Sequence, residues 1–272
     1  MLIRSENLNL RHIAESGQCF RMTKIAEDRY SLIALGEYVE LLQVDENKIQ
    51  IFGTSTDNLS MWEEYFDLNY DYSEVINELI DGEDEFLHKA AVFGRGLRIL
   101  RQEPFETLIS FIISQNKNIP AIKSAIEKLC RAYGEKKCRS VDTSITYYVF
   151  PSATALADAT LEDLRALGLG YRDEYVLKTA QAVAEGRPDL LKLMDMDSER
   201  LMQELMSLRG VGVKVANCVA LFGFHKLQCV PVDVWIARIL KQVYKGEFSW
   251  EPYGDRAGLV QQYMFYYMRN GK

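Results

Sequence analysis

The sequence lacks the features that define several classes of protein. No apolar run is long enough to span a membrane, and no charged-then-apolar leader begins the chain. The cysteines are odd in number and have no C-x2-C spacing, and no two of the three histidines lie at helical ligand spacing. These absences predict an intracellular protein with reduced thiols and without a zinc site.

Basic residues are too few for a uniformly cationic protein, since the formal net charge is −7. The acidity is uneven, however. Residues 1–100 carry 9 basic and 19 acidic side chains, whereas residues 101–272 carry 23 and 20. Any surface that binds a polyanion is therefore expected in the second of these stretches, with Lys and Arg clustered locally.

The apolar pattern changes along the chain from a strand-like to a helical period. The runs Glu37–Val44 and Ile49–Phe52 flank Asp45-Glu46-Asn47 and predict a β-hairpin. Residues 57–87 are acidic and aromatic and predict helix and loop. From residue 103 apolar residues recur at offsets of three and four, which is typical of amphipathic helices.

These patterns predict an α+β fold. A small N-terminal antiparallel β-rich domain is expected over residues 1–95, and a two-part all-helical body over residues 96–272. Two helix starts stand out in the body: Thr160 with Asp163 resembles a capping box, and Ser198 is a candidate N-cap for the following helix.

The most informative segment of the body is a glycine-containing turn within residues 198–222. One helix ends at Leu208, Gly210 and Gly212 permit a tight turn, and a second helix starts at Val213. The free N–H groups and positive dipole end of the second helix suit a phosphate oxygen. A plain corner between two helices would explain the same glycines.

Lys214 lies in the first turn of the second helix, where the helix dipole disfavours a cation. This field favours the neutral amine that a lysine nucleophile requires. The ordinary alternative is an exposed lysine whose stem lies along the helix.

Asp233 follows Lys214 by 19 residues, in Val230-Pro231-Val232-Asp233. Pro231 and its apolar neighbours predict a buried extended segment, and Asp233 is a candidate N-cap for a helix over Val234–Val243. A carboxylate fixed there can also face positive charge that develops on a sugar. A capping role alone is the alternative.

The segment from Leu208 to Trp235 resembles the helix-hairpin-helix, Gly/Pro-rich loop and Asp element of the base-excision DNA glycosylase superfamily. Its pattern is Leu-x-Gly-Val-Gly-x-Lys followed by Val-Pro-Val-Asp. The lysine at 214 resembles the bifunctional branch, which forms a Schiff base with the sugar. No cysteine follows Cys229, so the branch with a C-terminal four-cysteine iron–sulfur cluster is disfavoured. The resemblance implies no redox or organic cofactor, and it allows a monovalent cation on the hairpin carbonyls.

Further segments resemble the 8-oxoguanine DNA glycosylases within that superfamily. They follow the family's order and extend over nearly the whole chain: Ser16-Gly17-Gln18-Cys19-Phe20-Arg21, Phe111–Ile119 with Ser-Gln-Asn-Lys-Asn, Gly168-Leu169-Gly170-Tyr171-Arg172, and Gly258–Phe265. The resemblance implies binding of double-stranded DNA that contains oxidised guanine, with the damaged base flipped into a pocket.

The resemblance assigns five residues to that pocket. The Gly17 carbonyl would accept the N7 hydrogen that oxidised guanine has and guanine lacks. Phe265 would stack on one face of the base and Cys218 on the other, Gln261 would bond the Watson–Crick edge, and Pro231 would line the pocket. Four of them have an ordinary alternative: a turn for Gly17, core packing for Phe265 and Cys218, and an exposed helix position for Gln261.

Other residues are expected to contact the rest of the DNA. Asn116 would fill the hole left by the flipped base, Tyr171 would wedge beside the orphaned base and Arg172 could hold it. Packing of a loop against the body is the alternative for the last two. Phosphate contacts are expected from Gly210, Gly212 and Val213 in the hairpin. A further contact is expected from Trp235, two residues after Asp233.

Two positions depart from the family pattern. Ala121 stands where eukaryotic members have an arginine, and it cannot donate two hydrogen bonds to an opposite cytosine, so relaxed opposite-base preference is expected. Trp235 stands where a phosphate-contacting histidine is frequent, and its indole carries no charge.

The expected protein is a monomeric, intracellular DNA glycosylase and AP lyase without a membrane partner. Short loops and the lack of a targeting segment favour a prokaryotic cytoplasm, at the nucleoid. Two alternatives stay open: a glycosylase for another purine lesion with weak lyase activity, and a non-catalytic DNA-binding scaffold. The presence of both Lys214 and Asp233 argues against the scaffold.

Overall fold

The computed structural model describes residues 1–139 and 142–271. The strands are β1 (Leu2–Arg4), β2 (Met22–Ala26), β3 (Arg29–Ala34), β4 (Glu37–Asp45), β5 (Lys48–Phe52), β6 (Lys136–Arg139) and β7 (Asp142–Tyr148). The helices are α1 (Leu10–Glu15), α2 (Leu59–Tyr65), α3 (Tyr72–Asp81), α4 (Glu85–Phe93), α5 (Pro104–Ser114), α6 (Ile119–Tyr133), α7 (Ala153–Ala157), α8 (Leu161–Ala166), α9 (Arg172–Ala184), α10 (Leu190–Leu193), α11 (Ser198–Ser207), α12 (Val213–Gly223), α13 (Val234–Gln242) and α14 (Ala257–Asn270).

The first five strands form an antiparallel sheet in the order β1-β5-β4-β3-β2. The predicted hairpin is confirmed: β4 pairs with β5, with Leu41 opposite Ile51, across a turn at Glu46 and Asn47. Alternate residues of β3 are buried, as expected for a sheet with one face on a core. Trp62, together with Tyr65 and Phe66, belongs to the same core cluster as that face.

The stretch over 57–87 consists of helices joined by short loops, as predicted, and two of its acidic residues cap helices. The side chain of Asp71 accepts a hydrogen bond from the N–H of Ser73, and Asp84 accepts from Phe86 and Leu87. These aspartates are the N-caps of α3 and α4 and satisfy N–H groups that have no partner within the helix. The buried faces of α3 and α4 belong to the core of the helical body rather than to that of the sheet.

Helix α5 lies at the centre of the helical body, since its residues from Thr107 to Ile113 are all buried. It contacts α6, α9 and α12. This packing puts the C-terminal end of α5 beside the turn between α11 and α12, and that end carries the segment with Asn116.

A two-stranded ribbon of β6 and β7 interrupts the body that the sequence predicts as helical throughout. It is attached to the N-terminal sheet: a guanidinium nitrogen of Arg139 donates to Glu40 at 2.9 Å, and the Tyr147 hydroxyl donates to the carbonyl of Gly36 at 3.2 Å. Residues 141–148 are rich in β-branched and aromatic side chains, which favour strands, whereas residues 136–139 are mostly basic and give no strand pattern. The contacts with the N-terminal sheet stabilise the pair.

Two helix starts differ in their outcome. Thr160 caps α8 as predicted, its hydroxyl accepting from the N–H of Asp163. Ser198 does not cap α11, because it is the first residue of the helix and the side chain of Asp197 accepts the hydrogen bond from the N–H of Arg200. Both side chains can cap, and the start of the helix falls one residue earlier than the serine indicates.

Among the residues described, no helix is both long enough and apolar enough to cross a membrane.

Candidate active site

The turn between α11 and α12 is built on two glycines with different surroundings. Gly210 has φ +80°, and a Cβ atom there would lie 2.4 Å from the ring of Tyr175. Gly212 has open space on its Cβ side, and the neighbouring Val213 is 64% exposed. Gly210 is therefore required for packing within the protein, whereas Gly212 leaves room for a second molecule beside the start of α12.

Lys214 is half-buried in the first turn of α12. Its ammonium nitrogen lies 5.4 Å from the centre of the Phe111 ring on α5. One helical turn further, Cys218 is within hydrogen-bonding reach of the lysine. Burial raises the pKa of the Cys218 thiol to about 11, with Lys214 acting in the opposite direction, so the thiol is neutral at neutral pH. Cys218 therefore offers no thiolate that would compete with Lys214 as the nucleophile.

Asp233 is the N-cap of α13, as predicted. Its Oδ1 accepts hydrogen bonds from the N–H groups of Trp235 at 3.0 Å and Ile236 at 2.9 Å. The preceding segment is tied to α12, because the N–H of Val230 donates to the side chain of Asn217 at 3.0 Å. Asn217 lies three residues beyond Lys214, so a direct connection sets the aspartate segment against the lysine helix.

Lys214 and Asp233 line one cleft of about 850 Å³. The structure brings several other predicted residues to its wall, namely Gly17, Asn116, Gly212, Trp235 and Phe265. These groups come from five segments of the chain: the loop after α1, the segment after α5, the start of α12, the start of α13 and helix α14.

Gly17, which is predicted to line the base pocket, packs against Phe265. Its φ is +76°, and a Cβ atom there would lie 3.4 Å from Cε1 of the phenylalanine ring. The next residue, Gln18, is buried: its amide donates to the carbonyl of Arg98 at 2.7 Å and its Oε1 accepts from the N–H of Leu100 at 2.8 Å. These bonds hold the glycine loop over the phenylalanine ring.

The remaining base-pocket candidates lie behind the cleft wall rather than on it. Cys218 is 3% exposed, Gln261 is 2% exposed and Pro231 is buried. The Oε1 of Gln261 accepts a hydrogen bond from the side chain of Gln262 at 3.2 Å. A bond from Gln261 to a base edge stays a prediction.

Asn116 and Tyr171 meet at one edge of the cleft. The Asn116 amide donates to the Tyr171 hydroxyl at 3.0 Å, and the tyrosine is 52% exposed. Asn116 has φ +50°, a left-handed conformation that is uncommon outside glycine and is tolerated best by Asn and Asp. The pair forms one projecting polar and aromatic edge.

Arg172 is not placed as expected for a side chain that holds an orphaned base. It is 6% exposed, and its Nε donates to the carbonyl of Gln115 at 2.7 Å while Nη1 donates to the carbonyl of Leu169 at 3.0 Å. A second nitrogen, Nη2, also donates to Gln115. The guanidinium could offer paired donors to a base only by giving up these bonds.

The sequence analysis assigned no role to three residues of the cleft. Phe20 and Phe111 form its apolar wall, with ring centres 5.4 Å apart. Arg269 lies over the Phe265 ring, 5.2 Å from its centre; burial lowers the pKa of this guanidinium, and nearby Asp233 opposes the shift. The i, i+4 spacing of Phe265 and Arg269 on α14 is the signal that predicts their shared face.

The described residues contain no group of three or more His, Cys, Asp or Glu side chains that could hold a metal ion. At the hairpin, the carbonyl of Arg209 accepts from Thr179 at 3.3 Å and that of Gly210 accepts from Gln115 at 3.0 Å. Carbonyl oxygens suit a monovalent cation chemically, although these two already accept protein donors. A cation at the hairpin stays a prediction.

The chain matches two family models in tandem. The model of the HhH-GPD superfamily base excision DNA repair proteins matches residues 109–248, which contain the hairpin, Lys214 and Asp233, so this superfamily is the class that the fold and the cleft define. The model of the 8-oxoguanine DNA glycosylase N-terminal domain matches residues 1–108. The chain belongs to the 8-oxoguanine DNA glycosylase family of that superfamily.

Individual relatives agree with the family. A probable N-glycosylase/DNA lyase of Methanothermobacter thermautotrophicus is 34% identical over 75% of this chain and 72% of that protein. The N-glycosylase/DNA lyase of Saccharomyces cerevisiae is 32% identical over 90% of this chain and 70% of that protein. The structure of Clostridium acetobutylicum 8-oxoguanine glycosylase/lyase with double-stranded DNA containing cytosine opposite to 8-oxoG superposes with a TM-score of 0.91, at 34% identity, over 98% of this chain and 93% of that one.

Proposed function

We propose that this protein is a bifunctional DNA glycosylase and AP lyase that flips 8-oxoguanine out of duplex DNA, excises it and nicks the strand. The observation that carries the proposal is the cleft shared by Lys214, in the first turn of α12, and Asp233, the N-cap of α13. The relatives named as N-glycosylase/DNA lyases, and the solved 8-oxoguanine glycosylase/lyase bound to DNA, support the same activity.

In the proposed reaction the neutral amine of Lys214 attacks C1′ of the flipped nucleotide, and the bond from C1′ to the base breaks. The departing base takes the electron pair and later a proton. Asp233 lowers the barrier by facing the positive charge that develops on the sugar, which is the electrostatic contribution that dominates many enzymes. The cap uses only one carboxylate oxygen of Asp233, because Oδ1 accepts both backbone hydrogen bonds.

The lyase step follows from the covalent adduct. The amine loses a proton as the sugar ring opens, leaving a protonated Schiff base between Lys214 and C1′. This imine acidifies the hydrogens on C2′; loss of one of them expels the 3′ phosphate and breaks the strand. Hydrolysis of the imine then returns the lysine amine, so no electron carrier or organic cofactor enters the balance.

Selection of the oxidised base is proposed to depend on Gly17. Its carbonyl would accept the N7 hydrogen of 8-oxoguanine, and Phe265 would stack on the base. One such hydrogen bond contributes about 0.5–1.5 kcal/mol, with a larger cost if the acceptor is left buried and unpaired. Cys218, Gln261 and Pro231 complete the proposed pocket from behind the wall.

The surface around the cleft is proposed to bind the duplex. Free N–H groups at Gly212 and Val213 would bind a phosphate, and the open space beside Gly212 allows that approach. Asn116 and Tyr171 would enter the hole left by the flipped base. Trp235, which borders the cleft, would contribute one indole N–H to the backbone.

Weak discrimination of the opposite base is part of the proposal. Ala121 offers only a methyl group, and its N–H is bonded to the side chain of Asn118 at 3.0 Å. Arg172 uses its guanidinium on the carbonyls of Gln115 and Leu169. Neither residue supplies the paired donors that read a cytosine edge.

We further propose that the protein acts as a monomer in the intracellular compartment that contains DNA, the prokaryotic cytoplasm. One chain carries both Lys214 and Asp233 in one cleft, so a second copy is not required for the chemistry.

Borohydride trapping tests the function. The protein and its Lys214→Gln variant are incubated with an 8-oxoguanine duplex carrying each of the four bases opposite the lesion, and with an undamaged duplex. We expect a lesion-dependent covalent adduct with the unaltered protein, absent in the variant and similar in yield for the four partners. If the protein binds the duplex but gives neither an adduct nor free base, it is a non-catalytic DNA-binding scaffold. If it excises another damaged purine in preference to 8-oxoguanine, its substrate is that other lesion.

A further inference from the structure

Three segments that the proposed function brings to DNA are joined through one residue, Gln115, to which the family patterns assign no role. The segments are 114–118 with Asn116, 168–172 with Tyr171, and the hairpin 208–213. Gln115 is the C-cap of α5, between the buried helix and Asn116. Its amide nitrogen donates to the carbonyl of Gly210 in the hairpin at 3.0 Å, and to that of Ile112 at 3.1 Å.

The backbone of Gln115 is held from the opposite side. Its carbonyl accepts hydrogen bonds from Nε and Nη2 of Arg172, whose remaining terminal nitrogen donates to Leu169. The guanidinium also lies over the Tyr171 ring, 4.3 Å from its centre. One residue therefore contacts the hairpin through its side chain and the tyrosine loop through its main chain.

These bonds determine the backbone immediately before Asn116. The left-handed conformation of Asn116, at φ +50°, persists only where neighbouring contacts hold it. Lys117 adds a third connection, since its Nζ donates to the carbonyl of Gly168 at 3.1 Å. The asparagine amide is thereby brought to the Tyr171 hydroxyl at 3.0 Å.

We propose that Gln115 is a positioning residue that couples the phosphate-binding hairpin to the Asn116–Tyr171 edge. A phosphate held at the hairpin then fixes where this edge enters the duplex, so that extrusion of the base and filling of the hole occur in one register. The inference rests on the proposed function, because it concerns the flipping step of that reaction. Gln115 need not touch DNA for this role.

The coupling predicts a selective defect. Loss of the Gln115 bond should slow excision where a paired base must be extruded, and should spare a lesion that is already unpaired, for which flipping costs least. The test uses Gln115→Leu, which removes the donor, and Gln115→Glu, which keeps the shape but faces the Gly210 carbonyl with a carboxylate. Thr179→Val is the matched control: it removes the neighbouring bond to the hairpin, from Thr179 to the Arg209 carbonyl, without touching Asn116.

Single-turnover excision of 8-oxoguanine is measured in a fully paired duplex and in a three-nucleotide bubble. We expect both Gln115 variants to lose roughly tenfold to a hundredfold in rate on the paired duplex, because the Asn116–Tyr171 edge is no longer held in register for extrusion of the base. On the bubble, where the base is already unpaired, the rates should stay within about twofold. The Thr179→Val protein should excise from both at nearly the rate of the unaltered protein.

Equal losses on the two substrates, no loss on either, or the same selective loss in Thr179→Val would overturn the coupling. If Gln115→Leu does not fold, Gln115→Glu, which is nearly isosteric, gives the same comparison. Failure of the unaltered protein to release 8-oxoguanine from either substrate would instead refute the proposed function, and that result is separate from a selective effect of the variants.

Discussion

The ammonium nitrogen of Lys214 lies 5.4 Å from the centre of the Phe111 ring. Among the residues described, no acidic side chain forms an ion pair with this lysine. A cation over an aromatic face is stabilised by about 0.5–2 kcal/mol. The contact with the Phe111 ring therefore positions the lysine side chain in the cleft without an acidic partner.

The substitution Lys214→Arg tests the positive charge of this side chain separately from its role as a nucleophile. Arginine keeps a positive charge over the Phe111 ring but stays protonated and cannot form the Schiff base. We expect DNA affinity within about threefold of the unaltered protein and complete loss of borohydride trapping. A fluorescence binding titration and a trapping gel measure the two properties. An adduct of undiminished yield in Lys214→Arg would assign the Schiff base to another amine.

The two roles of Asp233 can be separated in the same manner. Asparagine caps helices as well as aspartate does, so Asp233→Asn should retain the melting temperature and lose most of the excision rate, because the charge that faces the sugar is gone. Asp233→Ala should lose the activity and also about 1 kcal/mol of stability. Thermal melts and single-turnover rates give both values. Full activity in Asp233→Asn would leave the residue as a cap alone.

The hairpin glycines should respond differently to the same substitution. Gly210→Ala puts a methyl group 2.4 Å from the Tyr175 ring at φ +80° and should cost about 1–3 kcal/mol, as overpacking does. Gly212→Ala meets no protein atom within 4 Å, so it should fold normally and weaken DNA binding. Urea unfolding and binding titrations distinguish the two. Normal DNA affinity in Gly212→Ala would argue against close approach of a phosphate there.

His225 should make stability depend on pH. Burial lowers its pKa from 6.5 to about 4, with Asp67, 3.0 Å away, opposing the shift. The unfolded chain therefore binds the proton more readily between pH 6.5 and 4, and folding stability falls as the pH is lowered through that range, by about 3 kcal/mol at most. Above pH 6.5 the histidine is neutral in both states and contributes no slope.

His225→Asn tests this source of the slope. Asparagine tolerates the left-handed backbone of that position, at φ +51°, and does not titrate. Urea midpoints at a series of pH values should show a shallower decline toward pH 4 in the variant than in the unaltered protein. Parallel declines would assign the pH dependence to other groups.

Local sequence was sufficient for the features that depend on neighbouring residues. The β4–β5 hairpin follows from alternation and a polar turn, α12 starts at Val213 after Gly212, and Asp233 caps α13. Each of these is a short-range effect of backbone freedom or of a side chain that reaches an N–H two or three residues away. The family resemblance could also be identified from the sequence, because its motifs are short segments in a fixed order.

Only the tertiary structure decided which predicted residues share a surface. It joined Lys214, Asp233, Gly17 and Phe265 in one cleft, and it buried Arg172. The ribbon of β6 and β7, the ring of Phe111 over the lysine and the bond from Gln115 to Gly210 depend on contacts between distant segments. No periodicity encodes such contacts, because the partner of a buried donor or ring is determined by how the helices pack and not by its sequence neighbours.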